Sequence, residues 1–235
     1  MGKETRAYPL EDMVMPRHII HDKMGEYPIV ITYCALCRTG LVFKSTHENT
    51  ELKFKVVGVF RRNLIMEDNM TNSLWQQATG ECINGPLKGK NLELLPSFQI
   101  PWSEAKKIEN LKLAFAPNQS KKAILATKIG FKLLKLATNY MMAPGYTKLS
   151  KQISPREVVF GININGKAKA YPLSVVKNSG KLHDSLNGID LDIEFNPHLN
   201  TLQITRRDGG NVPIVEKHWW LGWNEFHPNT EVYKK

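Results

Sequence analysis

No apolar stretch in this 235-residue chain approaches the roughly 18 residues that a membrane-crossing helix needs, so no transmembrane span is expected. The first thirty residues also lack the basic, apolar and small-residue succession of a signal peptide. Patterned sequence begins almost at once, as it would in a trimmed mature form. Cysteine is scarce: Cys34, Cys37 and Cys82 cannot all pair within one chain, which excludes a disulfide-stapled scaffold. A G-x-S-x-G elbow and an H-E-x-x-H helix are missing. "GPLKGKN" is one residue short of a phosphate loop and lacks its Ser/Thr, so neither nucleotide binding nor an organic cofactor is expected. The net charge of +10 comes from 32 Lys plus Arg against 22 Asp plus Glu. The lysines are dispersed, without an arginine-rich helix, zinc-finger spacing or aromatic-basic ribonucleoprotein motif, which argues against sequence-specific nucleic-acid binding.

What the chain does contain is a copy of itself. "RAYPL" from Arg6 is answered by "KAYPL" from Lys169, and His21-Asp22 is answered at nearly the same offset by His183-Asp184. Later, "PWSEAKKIENLKL" from Pro101 echoes "GWNEFHPNTEVY" from Gly222. Short β-branched and aromatic runs bounded by Gly, Asn and Asp, such as "KFKVVGVF", "VVFGINI" and "TLQITRR", read as strands. "NING" at 163–166 reads as a tight hairpin, residues 102–109 as a short helix with Ser103 near its N-cap, and the two His-Asp pairs as preceding equivalent turns. The expected fold is mostly β (α+β): two tandem related β-rich units, 1–116 and 155–235, compatible with barrel-like closure. Residues 117–154 link them and carry an amphipathic helix over about 120–142, with Lys121, Lys128, Lys132 and Lys135 on its wet stripe and Ile129, Leu133 and Met141 opposite. That helix reads as a bridge between the units. Contact with an anionic membrane surface is the alternative, disfavoured by the lack of a Trp or Phe anchor.

Chemistry concentrates in "IVITYCALCRTGLVF". Arg38 stands where c-type haem attachment would need a histidine. The Cys-x-x-Cys pair lies between strands, and Gly40 lets the chain fold back. This favours a knuckle in which two thiolates converge on a metal over a helix-start redox motif. The remaining ligands would come from His18, His21, His47, Met66 or Cys82. In the second copy Cys34 aligns with Asn196, Cys37 with Leu199 and His18 with Gly180, whereas His21 meets another histidine, His183. Residues confined to the first copy are the better site candidates, so the leading expectation is a soft-metal centre of Cys34, Cys37 and His18 with Met66 as fourth ligand, holding copper or zinc. The alternative is a thiol-disulfide or peroxide-reacting oxidoreductase in which Arg38 lowers a thiol pKa and His18 moves protons. A third reading is a binding module with inert cysteines. "HWWLGWNEFHP" reads as a packing plug of the second unit, and Cys82 as a small apolar residue.

The order of "RAYPL", "PIVITYCALCRTGLVF", "FRRNLIMEDNMTNSLWQQATGECINGPLKGKNLELLP", "KAYPL" and "FHPNTEVY" resembles the uncharacterised proteins grouped as domain of unknown function 3179. The resemblance implies a Thr-Tyr-Cys-x-x-Cys element at Thr32–Cys37, a histidine at His18 and an Asn-x-x-Met element at Asn63–Met66. It therefore adds Asn63 to the site as a supporting residue. It also implies frequent export. Relatives carry Asn at the position of His21 and a small residue at that of Cys82, which weakens both as ligands.

Overall fold

The computed structural model describes residues 4–14, 17–114, 129, 133 and 153–234, and strands dominate it. The first half runs β1 (Thr5–Ala7), a short helix (Leu10–Val14), β2 (Ile19–Met24), β3 (Tyr27–Cys34), β4 (Thr39–Lys44), the small hairpin β5 (Thr46–His47) and β6 (Thr50–Glu51), then β7 (Phe54–Phe60), β8 (Asn63–Asp68), β9 (Leu74–Gln76), β10 (Cys82–Asn84) and β11 (Leu94–Leu95). It closes with a helix (Trp102–Ala105) and β12 (Leu111–Leu113). The second half runs β13 (Val158–Ile164), β14 (Lys167–Pro172), a helix (Leu173–Val176), β15 (Lys181–Leu186), β16 (Ile189–Asn196), β17 (Thr201–Arg206), β18 (Glu216–Trp219), a helix (Trp220–Phe226) and β19 (Glu231–Val232).

The internal repeat is visible as a repeated set of contacts. The antiparallel ladder of β2, β3 and β4 is matched residue for residue in length by that of β15, β16 and β17. In each half the Tyr of "AYPL" donates its hydroxyl to the Asp of the His-Asp pair, Tyr8 to Asp22 at 2.7 Å and Tyr171 to Asp184 at 2.9 Å. The residue two before that Tyr adds a cation to the same carboxylate, Arg6 at 2.6 Å and Lys169 at 2.8 Å. These two sequence echoes are thus the two ends of one bond. The aspartates lie inside β2 and β15, shortly before the equivalent hairpin turns at Gly25-Glu26 and Asn187-Gly188, and each also accepts the next backbone N–H. The later echo is structural too: in each half a short helix leads to a strand, β12 or β19, that pairs in parallel with the "RA" or "KA" strand.

Local chemistry accounts for most boundaries. Asn165 and Gly166, both at positive φ, form the two-residue turn between β13 and β14. The helix from Trp102 stops at Ala105, and Pro101 holds its N-cap position without a side-chain bond, so Ser103 does not serve as the cap. The expected bridging helix falls outside the described residues except for Ile129 and Leu133, which are helical and exposed. Among the described residues no helix is long and apolar enough to cross a membrane.

β3 places the cysteines because both of its faces are covered. Ile29, Ile31 and Tyr33 pack with Met13, Val14 and Leu95 on one side. Val30 on the other side faces Phe54, Met66 and Trp75 of the sheet ordered β10-β9-β8-β7. Successive strand residues alternate faces, so Thr32 and Cys34 continue the Val30 row toward that second sheet.

Candidate dithiol site

β3 ends at Cys34 and β4 begins at Thr39, the two being cross-strand partners, so the four residues Ala35–Arg38 form the turn that carries Cys37. Arg38 closes it at a φ of 55°. The second half makes the corresponding turn from Asn196 to Thr201, with Asn200 at a φ of 50°. There the Asn196 side-chain oxygen accepts the Leu199 N–H at 3.0 Å. In the first half sulfur takes the place of that amide oxygen: the Cys34 thiolate is supported by the Cys37 thiol and by backbone N–H groups of Cys37, Leu36 and Leu64. One turn geometry therefore caps itself with Asn in one copy and cradles a thiolate in the other.

Both sulfurs are buried, with Cys34 0% and Cys37 1% exposed, and both are free thiols. Hydrogen bonding from Cys37 and then from the backbone amides pulls the Cys34 pKa down to about 7, against the opposing effect of burial. Burial first, then the neighbouring Cys34 charge, pushes Cys37 well above the ordinary thiol range. Of the two, Cys34 is therefore the thiol that ionises more readily, while Cys37 holds its proton.

Around Cys37 stands a buried polar network that side-chain chemistry makes nearly self-satisfying. Asn63, fully buried at the start of β8, donates to Cys37 Sγ at 3.1 Å and to Gln77 Oε1 at 2.6 Å. Its own Oδ1 accepts Gln76 Nε2 at 2.7 Å and the Ala78 N–H at 2.8 Å. Gln77 Nε2 in turn donates to Thr32 Oγ1 at 2.9 Å. The second half completes the enclosure. The Trp219 N–H donates to the Cys37 carbonyl at 3.0 Å, and an added Cβ on Gly222 would stand 2.5 Å from Cys37 Cβ, so only glycine lets that helix lie against the turn. Thr39 Oγ1 meets Nδ1 of the buried His218 at 2.7 Å, and His218 Nε2 meets Glu216 Oε2 at 2.9 Å.

The expected metal centre is not formed. Among the described residues there is no group of three or more His, Cys, Asp or Glu placed to hold an ion, and the copper or zinc expectation is corrected accordingly. The reason is strand periodicity. Met66 shares a face of β8 with Leu64 but lies two residues further along, so Leu64 meets the cysteines while Met66 fills the core with Val30 and Trp75. His18, at a φ of 55°, gives its carbonyl to the Tyr33 N–H, and Tyr33 points to the face of β3 opposite Cys34. Its Nδ1 is buried without a partner, and burial lowers its pKa. His21 Nε2 accepts the Phe54 N–H at 2.7 Å and stacks on that ring, serving the fold. His47 faces Glu48 at 3.6 Å on the small hairpin. Cys82 is buried in the Met66 cluster with its thiol on the Asn84 carbonyl. Arg38 is exposed beside Tyr33 and Lys217.

Sequence reading brought forward Cys34, Cys37 and Asn63 but missed Thr39, Gln76, Gln77, Glu216, His218 and Gly222. The signal available for the last three was the density of Trp and His in "EKHWWLGWNEF", which reads as packing until its contact with the turn is seen.

Fold and site together define a mostly β protein with an internal repeat, whose first copy carries a buried Cys-x-x-Cys turn covered by the second. The chain belongs to the family described as Protein of unknown function (DUF3179), whose model matches residues 1–209. No curated protein and no solved structure matches it.

Proposed function

We propose that Cys34 and Cys37 are a redox-active dithiol that reacts with small hydroperoxides and closes to an intramolecular disulfide. The observation that carries this reading is the pairing of two buried free thiols at one four-residue turn, where the Cys37 thiol and neighbouring backbone N–H groups ease the ionisation of Cys34 and, among the described residues, no group of three metal ligands forms. Near-complete burial of both sulfurs favours a small oxidant over a folded protein disulfide. In the first step Cys34 thiolate attacks the terminal peroxide oxygen, the O–O bond breaks, and the alkoxide leaves as alcohol with a solvent proton. Cys34 is then a sulfenic acid. In the second step Cys37, as thiolate, attacks Cys34 Sγ and expels hydroxide, which is protonated to water. A dithiol reductant returns the pair to its starting state by exchange. On this reading residues 1–116 form the thiol-bearing unit, 117–154 a linker and 155–235 the unit that covers the thiols.

The test follows sulfenate formation with hydrogen peroxide against pH, trapping the sulfenic acid with a carbon nucleophile. In the wild type the rate should rise through about pH 7, where Cys34 ionises. In Cys37→Ala, which removes the largest support of the thiolate, the midpoint should move up toward the usual thiol value of about 8.5. Wild-type protein that yields neither sulfenate nor a reversible disulfide would overturn the proposal.

A further inference from the structure

The tip of the β7–β8 hairpin lies directly on the two sulfurs. The Cys34 thiol reaches the Arg62 carbonyl at 3.8 Å, and Asn63 donates to Cys37 Sγ at 3.1 Å. Val56 of β7 packs with Leu36 and Leu64 around the same two cysteines. The other walls are tied down on their own account: β4 pairs with β3, and the Trp219 N–H and the bare Gly222 hold the second half against Cys37. The tip is not. β7 is the edge strand of the sheet ordered β10-β9-β8-β7, so that sheet bonds it on one side only. A bulge between Val56 and Gly58 interrupts its ladder with β8, and past that point Val57, Val59 and Phe60 are exposed.

The turn at the tip is one that its residues disfavour. Arg61 and Arg62 stand at φ of 48° and 60°, the two-residue geometry that Asn165-Gly166 fills between β13 and β14. A long side chain gains nothing locally from that conformation. What offsets it comes from the second repeat. Arg61 Nε donates to Glu225 Oε1 at 2.8 Å, Arg61 Nη2 to the Glu225 carbonyl at 2.7 Å, and Arg62 Nη1 to Glu225 Oε2 at 3.3 Å. The Arg61 guanidinium also lies 5.3 Å over the Phe226 ring. Glu225 follows Gly222 by three residues, which puts both on one face of the helix Trp220–Phe226. That face therefore packs on the cysteine turn through one residue and grips the cover of the turn through the other.

We propose that the Arg61-Arg62 tip is a flap over Cys34, hinged at the β7 bulge and latched by Glu225, and that this latch restricts the thiol to compact hydroperoxides. Opening swings the Arg62 carbonyl off Cys34 without breaking the pairing of β8 with β9. Glu225 touches neither sulfur and acts through the two arginines, so it is a positioning residue that sets specificity. The choice of oxidant rests on the dithiol reading, whereas the flap is read by alkylation, which needs no redox step.

Full-length wild type, Glu225→Ala and the double variant Arg61→Asn/Arg62→Gly are treated with iodoacetamide and, separately, with the bulky N-(1-pyrenyl)maleimide. Peptide mapping reports labelling at each cysteine. The ratio of bulky to small labelling at Cys34 should rise about 5-fold in Glu225→Ala, the change in open population that loss of one partly exposed ion-pair cluster allows. Raising salt from about 0.05 to about 0.5 M should increase the ratio in the wild type and leave the variant unchanged. The double variant removes both arginines but supplies residues that prefer this turn. It should show the same rise with no loss of thermal midpoint, and it decides alone if Glu225→Ala does not fold. Sulfenate formation with cumene hydroperoxide relative to hydrogen peroxide should shift in the same direction. An unchanged ratio overturns the flap. So does an equal rise at Cys82, which lies in the separate Met66 cluster and would report loosening of the whole fold. A raised ratio in protein that forms no sulfenate overturns the dithiol reading and the choice of oxidant, and leaves the flap standing.

Discussion

Replacing Asn63 by alanine is expected to destabilise the protein by about 4 kcal/mol and to loosen the cysteine turn in the same stroke. The side chain is fully buried and uses both ends of its amide. Its loss strips Gln77 Oε1 and the Ala78 N–H of the bonds they make to its amide, and it takes from Cys37 the donor at 3.1 Å. Each buried group stranded in this way costs about 1–3 kcal/mol, and the vacated volume adds to that. A typical domain has only about 5–15 kcal/mol to lose. Urea unfolding measures the change, and alkylation of Cys37 in native buffer should accelerate in parallel. A loss below about 1 kcal/mol would show that the network is not what holds β8 against the turn. Asn63→Asp separates the two roles. It keeps the acceptor for Gln76 and Ala78 but sets a carboxylate oxygen against Cys37 Sγ and Gln77 Oε1. Cys37 should therefore ionise even less readily while much of the fold survives.

Gly161→Ala is expected to cost at least about 3 kcal/mol, beyond what one methyl group suggests. An added Cβ would stand 2.2 Å from Trp223 Cζ3 and 2.4 Å from two further ring atoms. The ring has nowhere to retreat: it is fully buried, its Nε1 donates to Thr230 Oγ1 at 2.9 Å, and it is wedged between His218 and His227. Overpacking of a rigid core site costs about 1–3 kcal/mol when neighbours can shift, and more when they cannot. Because Trp223 anchors the helix that bears Gly222, its displacement should also lift that helix from Cys37. The expected result is a thermal midpoint lowered by several degrees together with thiols that react under native conditions. A midpoint equal to the wild type's would mean that the Trp223 helix is held by something other than this contact.

These two substitutions lie in different repeats and converge on one turn, which bears on what the chain reveals on its own. The repeat was legible because it is written in short polar motifs. "AYPL" and His-Asp recur since a Tyr hydroxyl and a cation must reach one carboxylate in each half, and only those residue types make that contact. Strand content was legible from β-branched runs and from "NG" at 165–166, which are local signals. Cys34 and Cys37 stood out through spacing, and Asn63 through the family resemblance. The direction of their chemistry did not. A knuckle motif leaves its further ligands to the rest of the fold, and here His18 meets β3 through its backbone carbonyl on the Tyr33 N–H while Met66 lies two residues past the strand position that meets the sulfurs.

The sequence by itself determined which local structures form, that they form twice, and where a pair of thiols is held in a tight turn, because turn residues, strand periods and motif spacing act over a few residues. Only the tertiary structure decided what that turn meets. Gln77 is 40 residues from Cys37, and His218 is 181 residues away. Whether such residues supply a metal ligand, a hydrogen bond or a base depends on long-range packing: β18 and its helix settle over the cysteines because Gly222 has no side chain and because Trp219 can give its N–H to the Cys37 carbonyl.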